Sequence, residues 1–205
     1  MKLLFGLAAL VLASSLHATE HFLDQKELDS LTPHPAVPGV SRYVTPGADP
    51  TSYSKIIVGS VSFFFAEGSK TKSIDADEMK MISDAIKSAM VAAAAEKREV
   101  VLTKGPGAVL MNIAVTEINL QNKKRGLLGY TPVGFVVSST ANMAGLRIQL
   151  KDARIEGEAV DSVTGETISI FRLDEIADID GKKNLSWDDL VGTFQNALAK
   201  ALASW

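Results

Sequence analysis

SIDADEMKMISDAIKSAMVAAAAEKR, residues 73–98, decides how the rest of this chain is read. Met79, Ile82, Ile86, Met90 and Ala93 recur at spacings of three and four, so a helix places them on one face. Asp75 is a suitable N-cap, and Glu78 follows three residues later as in a capping box. Ile74 and Met79 have the spacing of a hydrophobic staple. Lys97 and Arg98 suit the negative end of the helix dipole. A helix with one apolar stripe must bury it against another layer, so its neighbours define the fold class.

Upstream, KIIVGSVSFFF (55–65) is an almost unbroken apolar run, which predicts a strand buried on both faces. Downstream, REVVLT (98–103) predicts a short strand, and the Pro-Gly pair of KGPG (104–107) suits the centre of a type II turn. AVLMNIAVTEINL (108–120) alternates, with Val109, Met111, Ile113 and Val115 on one face, and predicts a strand pairing back on REVVLT. In RIQLKDARIEGEAVDS (147–162), Ile148 and Leu150 share one parity while Ala153, Ile155 and Ala159 take the other, a phase flip that predicts a bulge. DSVTGE (161–166) predicts a hairpin turn with Gly165 at positive φ, and TISIFRLDE (167–175) returns as the last strand. In SWDDLVGTFQNALAKALASW (186–205), Ser186 is the predicted N-cap and Trp187, Leu190, Phe194, Leu198 and Leu202 form the stripe. The expected fold is α+β: a largely antiparallel sheet of four to five strands with two amphipathic helices packed on one face.

The N-terminal 18 residues, MKLLFGLAALVLASSLHA, combine Lys2, an apolar run over 3–13 and small residues toward Ala18. This predicts a secretory signal peptide cleaved after Ala18, and therefore a periplasmic protein, in solution or at the outer membrane. Residues 19–52 contain Pro33, Pro35, Pro38, Pro46 and Pro50 and are expected to form an extended segment that straps onto the domain. The domain proper is expected over 53–205 as a single unit. It carries an uncharged stretch, GLLGYTPVGFVVSSTANMAGL (126–146), whose glycines, proline and hydroxyl residues argue against a spanning helix. The reading is an insertion between two strands. Lys123, Lys124, Arg125, Tyr130, Phe135 and Val137 are the candidate interaction surface, because exposed apolar residues beside a basic run mark contact with another chain or an anionic surface.

The residue inventory narrows the chemistry. The 205 residues contain no cysteine, which excludes disulfides and a lipid-bearing thiol within them. The histidines are His17, His21 and His34, all upstream of residue 53, so the folded domain is expected to lack histidine-based catalysis and histidine metal sites. Glu156, Glu158, Asp161 and Glu166 gather around one hairpin, and Glu156 and Glu158 share a strand face, so a paired-carboxylate hydrolase gathering Glu156, Glu158 and Glu117 is conceivable; a solvated sheet face beside Lys151 and Arg154 is the expected reading. Asp178 to Asp189 imitates a calcium loop, but Lys182 and Lys183 stand where an oxygen ligand and a glycine belong. No catalytic residues, cofactor or metal are expected. Net charge of −3 offers no field for nucleic acid.

Five stretches taken in order, YVTPGADPTSYSKIIVGSV, KGPGAVLMNIAVTEI, TPVGFVV, EAVDSVTGE and WDDLVGTFQNALAKAL, resemble the bacterial envelope family known as domain of unknown function 3313. The resemblance runs from about Tyr43 to the C-terminus. It implies an exported, lipoprotein-like protein of a Gram-negative bacterium, with no known reaction; the chain departs from it in lacking the lipidation cysteine. The combined expectation is a non-enzymatic binding or assembly module, with an unknown envelope protein, a second copy or the membrane surface as partner.

Overall fold

A computed structural model describes residues 22–69, 74–122, 148–174 and 187–203. Its elements are α1 (Gln25–Ser30), β1 (Thr32–Pro33), β2 (Val40–Val44), a 3-10 turn at Pro50–Ser52, β3 (Lys55–Phe65), α2 (Ala76–Ala95), β4 (Glu99–Val100), β5 (Ala108–Asn122), β6 (Ile148–Asp161), β7 (Thr167–Leu173) and α3 (Trp187–Ala203). The α+β class holds, but among the described residues the sheet has seven strands in the order β1-β2-β7-β6-β5-β3-β4, not four to five. The undercount comes from the proline-containing segment. Val40–Val44 pairs antiparallel with β7 over its full length, and Thr32 and Pro33 pair with β2 at the sheet's edge, where a proline's missing N–H is harmless.

The second correction concerns pairing. β5 does not fold back on the strand at residue 99. It runs parallel to β3, as does β4, while the remaining neighbours are antiparallel. The β3–α2–β5 segment is thus a crossover unit with α2 packed on the sheet. β4 shrinks to two residues at the edge, and of β3 only Ile56 is fully buried, not both faces. The Pro-Gly turn is nevertheless formed: Ala108 N donates to Gly105 O at 3.2 Å and Gly107 has φ 70°. Ser162 Oγ, buried, ties that turn to the β6–β7 hairpin through Gly105 N and O.

Three compensating irregularities keep the long strands in register. On β3, Gly59 and Ser60 stand opposite Asn112 alone, and Asn112 Oδ1 accepts from Ser60 N at 3.0 Å. On β5, Glu117 is the extra residue, at φ 51°, a left-handed conformation that costs on the order of 1 kcal/mol in a residue other than glycine. After it the buried parity on β5 switches from Val109, Met111, Ile113 and Val115 to Ile118. On β6 the shift between Asn119 and Leu120 leaves Lys151 as the extra residue, which is the bulge the sequence parity implies.

The main core lies between one sheet face and the two long helices. Ile82, Ile86, Met90 and Ala93 of α2 meet Leu190, Phe194, Leu198 and Leu202 of α3 above Ile56, Val109, Met111, Ile113 and Ile155. Asp75 caps α2 by accepting from Asp77 N, and Ile74 is buried beside the helix start. Ile86 is wholly buried, so Ile86→Ala is expected to cost about 2–5 kcal/mol. At Gly59 an added Cβ would sit 2.2 Å from Asn112 Oδ1 and 2.8 Å from Met111 O, and the latter is backbone that cannot yield. Gly59→Ala is therefore expected to cost about 1–3 kcal/mol. Denaturant titration checks both; an unchanged midpoint for Gly59→Ala would contradict the bulge geometry.

Candidate functional site

The five carboxylates do not form an acid pair. Glu156 is not on a solvated face; it is wholly buried on the sheet face opposite the long helices. Its Oε2 accepts from Phe22 N at 3.1 Å and Leu23 N at 3.0 Å, and its Oε1 accepts from Thr116 Oγ1 at 3.2 Å. The chain thus crosses the central strands on that face and is pinned there before α1 begins under the Asp24–Glu27 capping box. Leu23, 2% exposed, is buried on the way. Glu158, two residues along the same strand, accepts from Asn112 Nδ2 at 3.0 Å. Glu117 pairs with Arg154 at the bulge. Asp161 Oδ1 accepts from Val163 N at 2.7 Å and Thr164 N at 2.8 Å, and its Oδ2 accepts from Tyr53 Oη at 2.9 Å. These bonds, the Thr164 and Val163 N–H groups first, hold the Asp161 carboxyl below the usual carboxylate range. Glu166 N receives support from Thr164 Oγ1 in the same turn. Of the five, Glu117, Glu156, Glu158 and Asp161 are each engaged in holding backbone or a neighbouring strand.

The candidate interaction surface of Lys123, Lys124, Arg125, Tyr130, Phe135 and Val137 lies outside the described residues, as do the signal segment and most of the calcium-like stretch. What is described is where that insertion begins and ends. Asn122 and Ile148 are paired partners at the ends of β5 and β6. Among the described residues there is no group of three or more His, Asp or Glu placed to hold a metal ion. Nor is any described helix long and apolar enough to cross a membrane.

A site that sequence reasoning missed lies at the β2–β7 side of the helix-covered face. Neighbouring strands are about 4.8 Å apart and a helix is about 10 Å across, so two helices cover roughly four strands. α2 lies toward β3 and α3 toward β6. The strip over β7 and β2 is left as a shallow cleft along the flank of α3, with a cavity volume of about 30 Å³. Its walls are apolar: Val40, Phe171, Leu173, Phe194 and Leu198, with Ala197 and Ala201 one turn apart on α3. Among the described residues, His34, Arg42 and Ser169 bring polar side chains to it. Arg42 stands opposite Phe171 and Val44 opposite Ser169, so Arg42 and Ser169 occupy diagonal positions on adjacent strands, about 7–8 Å apart. Ser169 is 4% exposed, and its Oγ has no hydrogen-bond partner among the described residues.

His34 overturns the expectation of a histidine-free body. It is 6% exposed, its N–H bonds Val40 O at 2.7 Å, and its Nδ1 accepts from Ala36 N at 3.1 Å, which places the ring proton of the neutral form on Nε2. No periodicity signals this; only the pairing of β2 into the sheet carries residue 34 inward. Burial first, then the Arg42 charge, push His34 below the usual imidazole range.

Two predictions follow from these contacts. Glu156→Leu leaves two backbone donors unpaired, an expected loss of about 1–3 kcal/mol in the anchoring of the N-terminal strap. Tryptic cleavage after Lys26 should then accelerate about tenfold or more, read by mass spectrometry; an unchanged rate would show that Glu156 does not hold the strap. For His34, the unfolded chain binds its proton near pH of about 6.5 while the folded chain binds it only at lower pH. Its contribution is complete above that value and is lost as pH falls from there through the folded value. The stability difference between the wild type and His34→Asn, measured by urea titration, should therefore shrink on going from pH 7.5 to pH 5 in steps of about half a unit.

The model of the family described as "Protein of unknown function (DUF3313)" matches residues 18–203. The "Uncharacterized lipoprotein YdcL" of Escherichia coli K12 is 27% identical over 165 residues, covering 79% of this chain and 71% of that protein. Among solved structures, a PelC dodecamer from Paraburkholderia phytofirmans overlaps at a TM-score of 0.39 and 13% identity, over 80% of this chain and 94% of the other. A PDZ domain protein from Parabacteroides distasonis overlaps at 0.40 and 12% identity, over 81% of this chain and 35% of the other. Overlaps at that level carry no functional argument.

Proposed function

We propose, for a chain that belongs to the DUF3313 family, a cell-envelope protein that is exported to the periplasm and works by binding rather than by catalysis. Two features support the export half of this reading. Residues 1–18 have the composition of an export signal. The similar Escherichia coli protein is called a lipoprotein, although the 205 residues here contain no cysteine to carry the lipid.

The observation that carries the binding half of the reading is the fate of the acids. A hydrolase needs one carboxyl free to protonate and another free to attack or to activate water. Here Glu156 holds the strap, Glu158 holds Asn112, Glu117 is paired with Arg154 and Asp161 closes the hairpin turn. The reading assigns assembly to the uncharged insertion instead. Asn122 and Ile148 fix its two ends to the central strands, and Phe135 and Val137 would meet an envelope protein or a second copy of the chain, with Lys123, Lys124 and Arg125 alongside.

The test is crosslinking in the native envelope. The wild type should partition with the periplasmic fraction after osmotic shock and yield a crosslinked species. The Phe135→Asp/Val137→Asp double variant should keep its circular dichroism and lose that species. Retention of the protein in the cytosol would refute export, and an identical crosslinking pattern in the double variant would refute the assigned surface. Flotation of the purified chain with anionic vesicles, abolished in the same variant, would move the assignment to the membrane surface.

A further inference from the structure

We propose that the outer rim of β3, from Val61 to Phe65, binds an extended, apolar peptide segment of another protein as an added strand. The proposal makes no use of the 123–137 segment or of export, so it and the proposed function fail independently.

The first observation is which backbone groups the rim presents. Ala66 N donates to Ile118 O at 3.0 Å, so residue 66 faces β5. Strand alternation turns Ser62 and Phe64 toward β5 as well, and aims the N–H and C=O groups of Val61, Phe63 and Phe65 outward. The side chains of those three pack against the core beneath α2. β4 pairs with Lys55 and Ile56 alone, and no strand among the described residues lies outside Val61, Phe63 or Phe65.

The second observation is the missing guard. Sheet edges are commonly protected by a charge, a proline or a covering element. The opposite edge of this sheet has Pro33 in β1. Residues 56–66 contain neither a charge nor a proline. The doubled residues Gly59 and Ser60 interrupt the rim just before Val61, and the strand beyond them runs on unbroken to Phe65.

These features select the ligand. A row of outward donors and acceptors is matched by another peptide backbone. A hydrocarbon tail would leave the row unpaired, and a phosphate would meet no cation within 56–66. The position of α2 then decides between kinds of strand. α2 lies over β3 and β4. Two copies paired antiparallel, rim to rim, would set their α2 helices over strands about 4.8 Å apart, whereas packed helices need roughly 8–10 Å. A strand with no helix behind it meets no such obstacle. Its side chains would alternate between Val61, Phe63 and Phe65 on the α2 side and Ser62 and Phe64 on the other, which favours β-branched or aromatic residues at every second position.

The probe is a short synthetic peptide that alternates valine and threonine, with a lysine at each end, added to the isotope-labelled chain. Amide hydrogen exchange is followed by nuclear magnetic resonance. Without peptide, the amides of Val61, Phe63 and Phe65 should exchange about tenfold or more faster than those of Ser62 and Phe64. Saturating peptide should slow those three about tenfold or more. Val61→Pro removes an outward donor and no bond to β5, and Ser62→Lys plants a charge at the rim; each should weaken binding about tenfold. Circular dichroism checks folding, and Ser62→Lys gives an independent reading if Val61→Pro does not fold. The same peptide N-methylated throughout offers no donors and should not bind. The proposal is overturned if the peptide leaves exchange at Val61, Phe63 and Phe65 unchanged, if the methylated peptide binds as tightly, or if folded Ser62→Lys binds as the wild type does. A wild-type dimer in sedimentation that Ser62→Lys abolishes would also overturn it, in favour of a second copy.

Discussion

A sheet of seven strands is wider than the two helices laid over it, and most of the molecule can be understood from that mismatch. The long helices bury each other and the central strands, where the fully excluded side chains Ile82, Ile86, Ile113, Ile155 and Phe194 concentrate. They cover β2 and β7 less completely, and a small slot lined by Val40, Phe171 and α3 remains at that side. They do nothing for the opposite face, where the chain itself supplies the cover. Residues around Leu23 lie on that face, anchored by a carboxylate, before the chain turns into β1 and β2 at the edge.

That anchor illustrates how a charged residue can sit at the centre of a fold. Glu156 is two residues from Glu158 on the same strand, yet one is excluded from water and the other half-exposed. The difference is the partner each finds. Backbone N–H groups at the start of the described strap have no ladder to join, and a buried carboxylate with two oxygens satisfies them together with Thr116. The arrangement couples two distant parts of the chain, since the donors and the acceptor are separated by 134 and 133 residues. Such a bond specifies topology more than it adds stability, because its formation depends on the sheet already being in register.

Local rules were legible in the sequence, and long-range ones were not. The stripes of α2 and α3, the turn at Pro106–Gly107, the DSVTGE hairpin and the bulge near Lys151 all follow from spacing or from a residue's φ preference. These features reside within a few neighbouring positions. Three things escaped because they are decided by residues far away. β5 carries an alternation that fits any partner, and only the crossover of α2 sends it to β3 rather than to residue 99. β2 is a five-residue strand hidden among prolines, and its pairing brings His34 and Arg42 to the slot. Glu156 carries no local sign of burial, since its strand alternates polar and apolar as a half-solvated strand would. The family resemblance, by contrast, was carried by short stretches and holds across residues 18–203.

The bulges have a consequence for how the molecule keeps to itself in concentrated solution. β4 shields only the first residues of β3, at Lys55 and Ile56, so among the described strands the outer rim from Ile57 to Phe65 faces no neighbour. A flat rim rich in phenylalanine and valine would template the addition of a foreign strand, as happens in fibril growth. The doubled residues at Gly59 and Ser60 break the even spacing of donors and acceptors along that rim and sharpen its coil. An incoming strand could match the ladder on one side of the kink or the other, not both. The irregularity that Asn112 props up from inside thus serves as a guard against polymerisation on the outside.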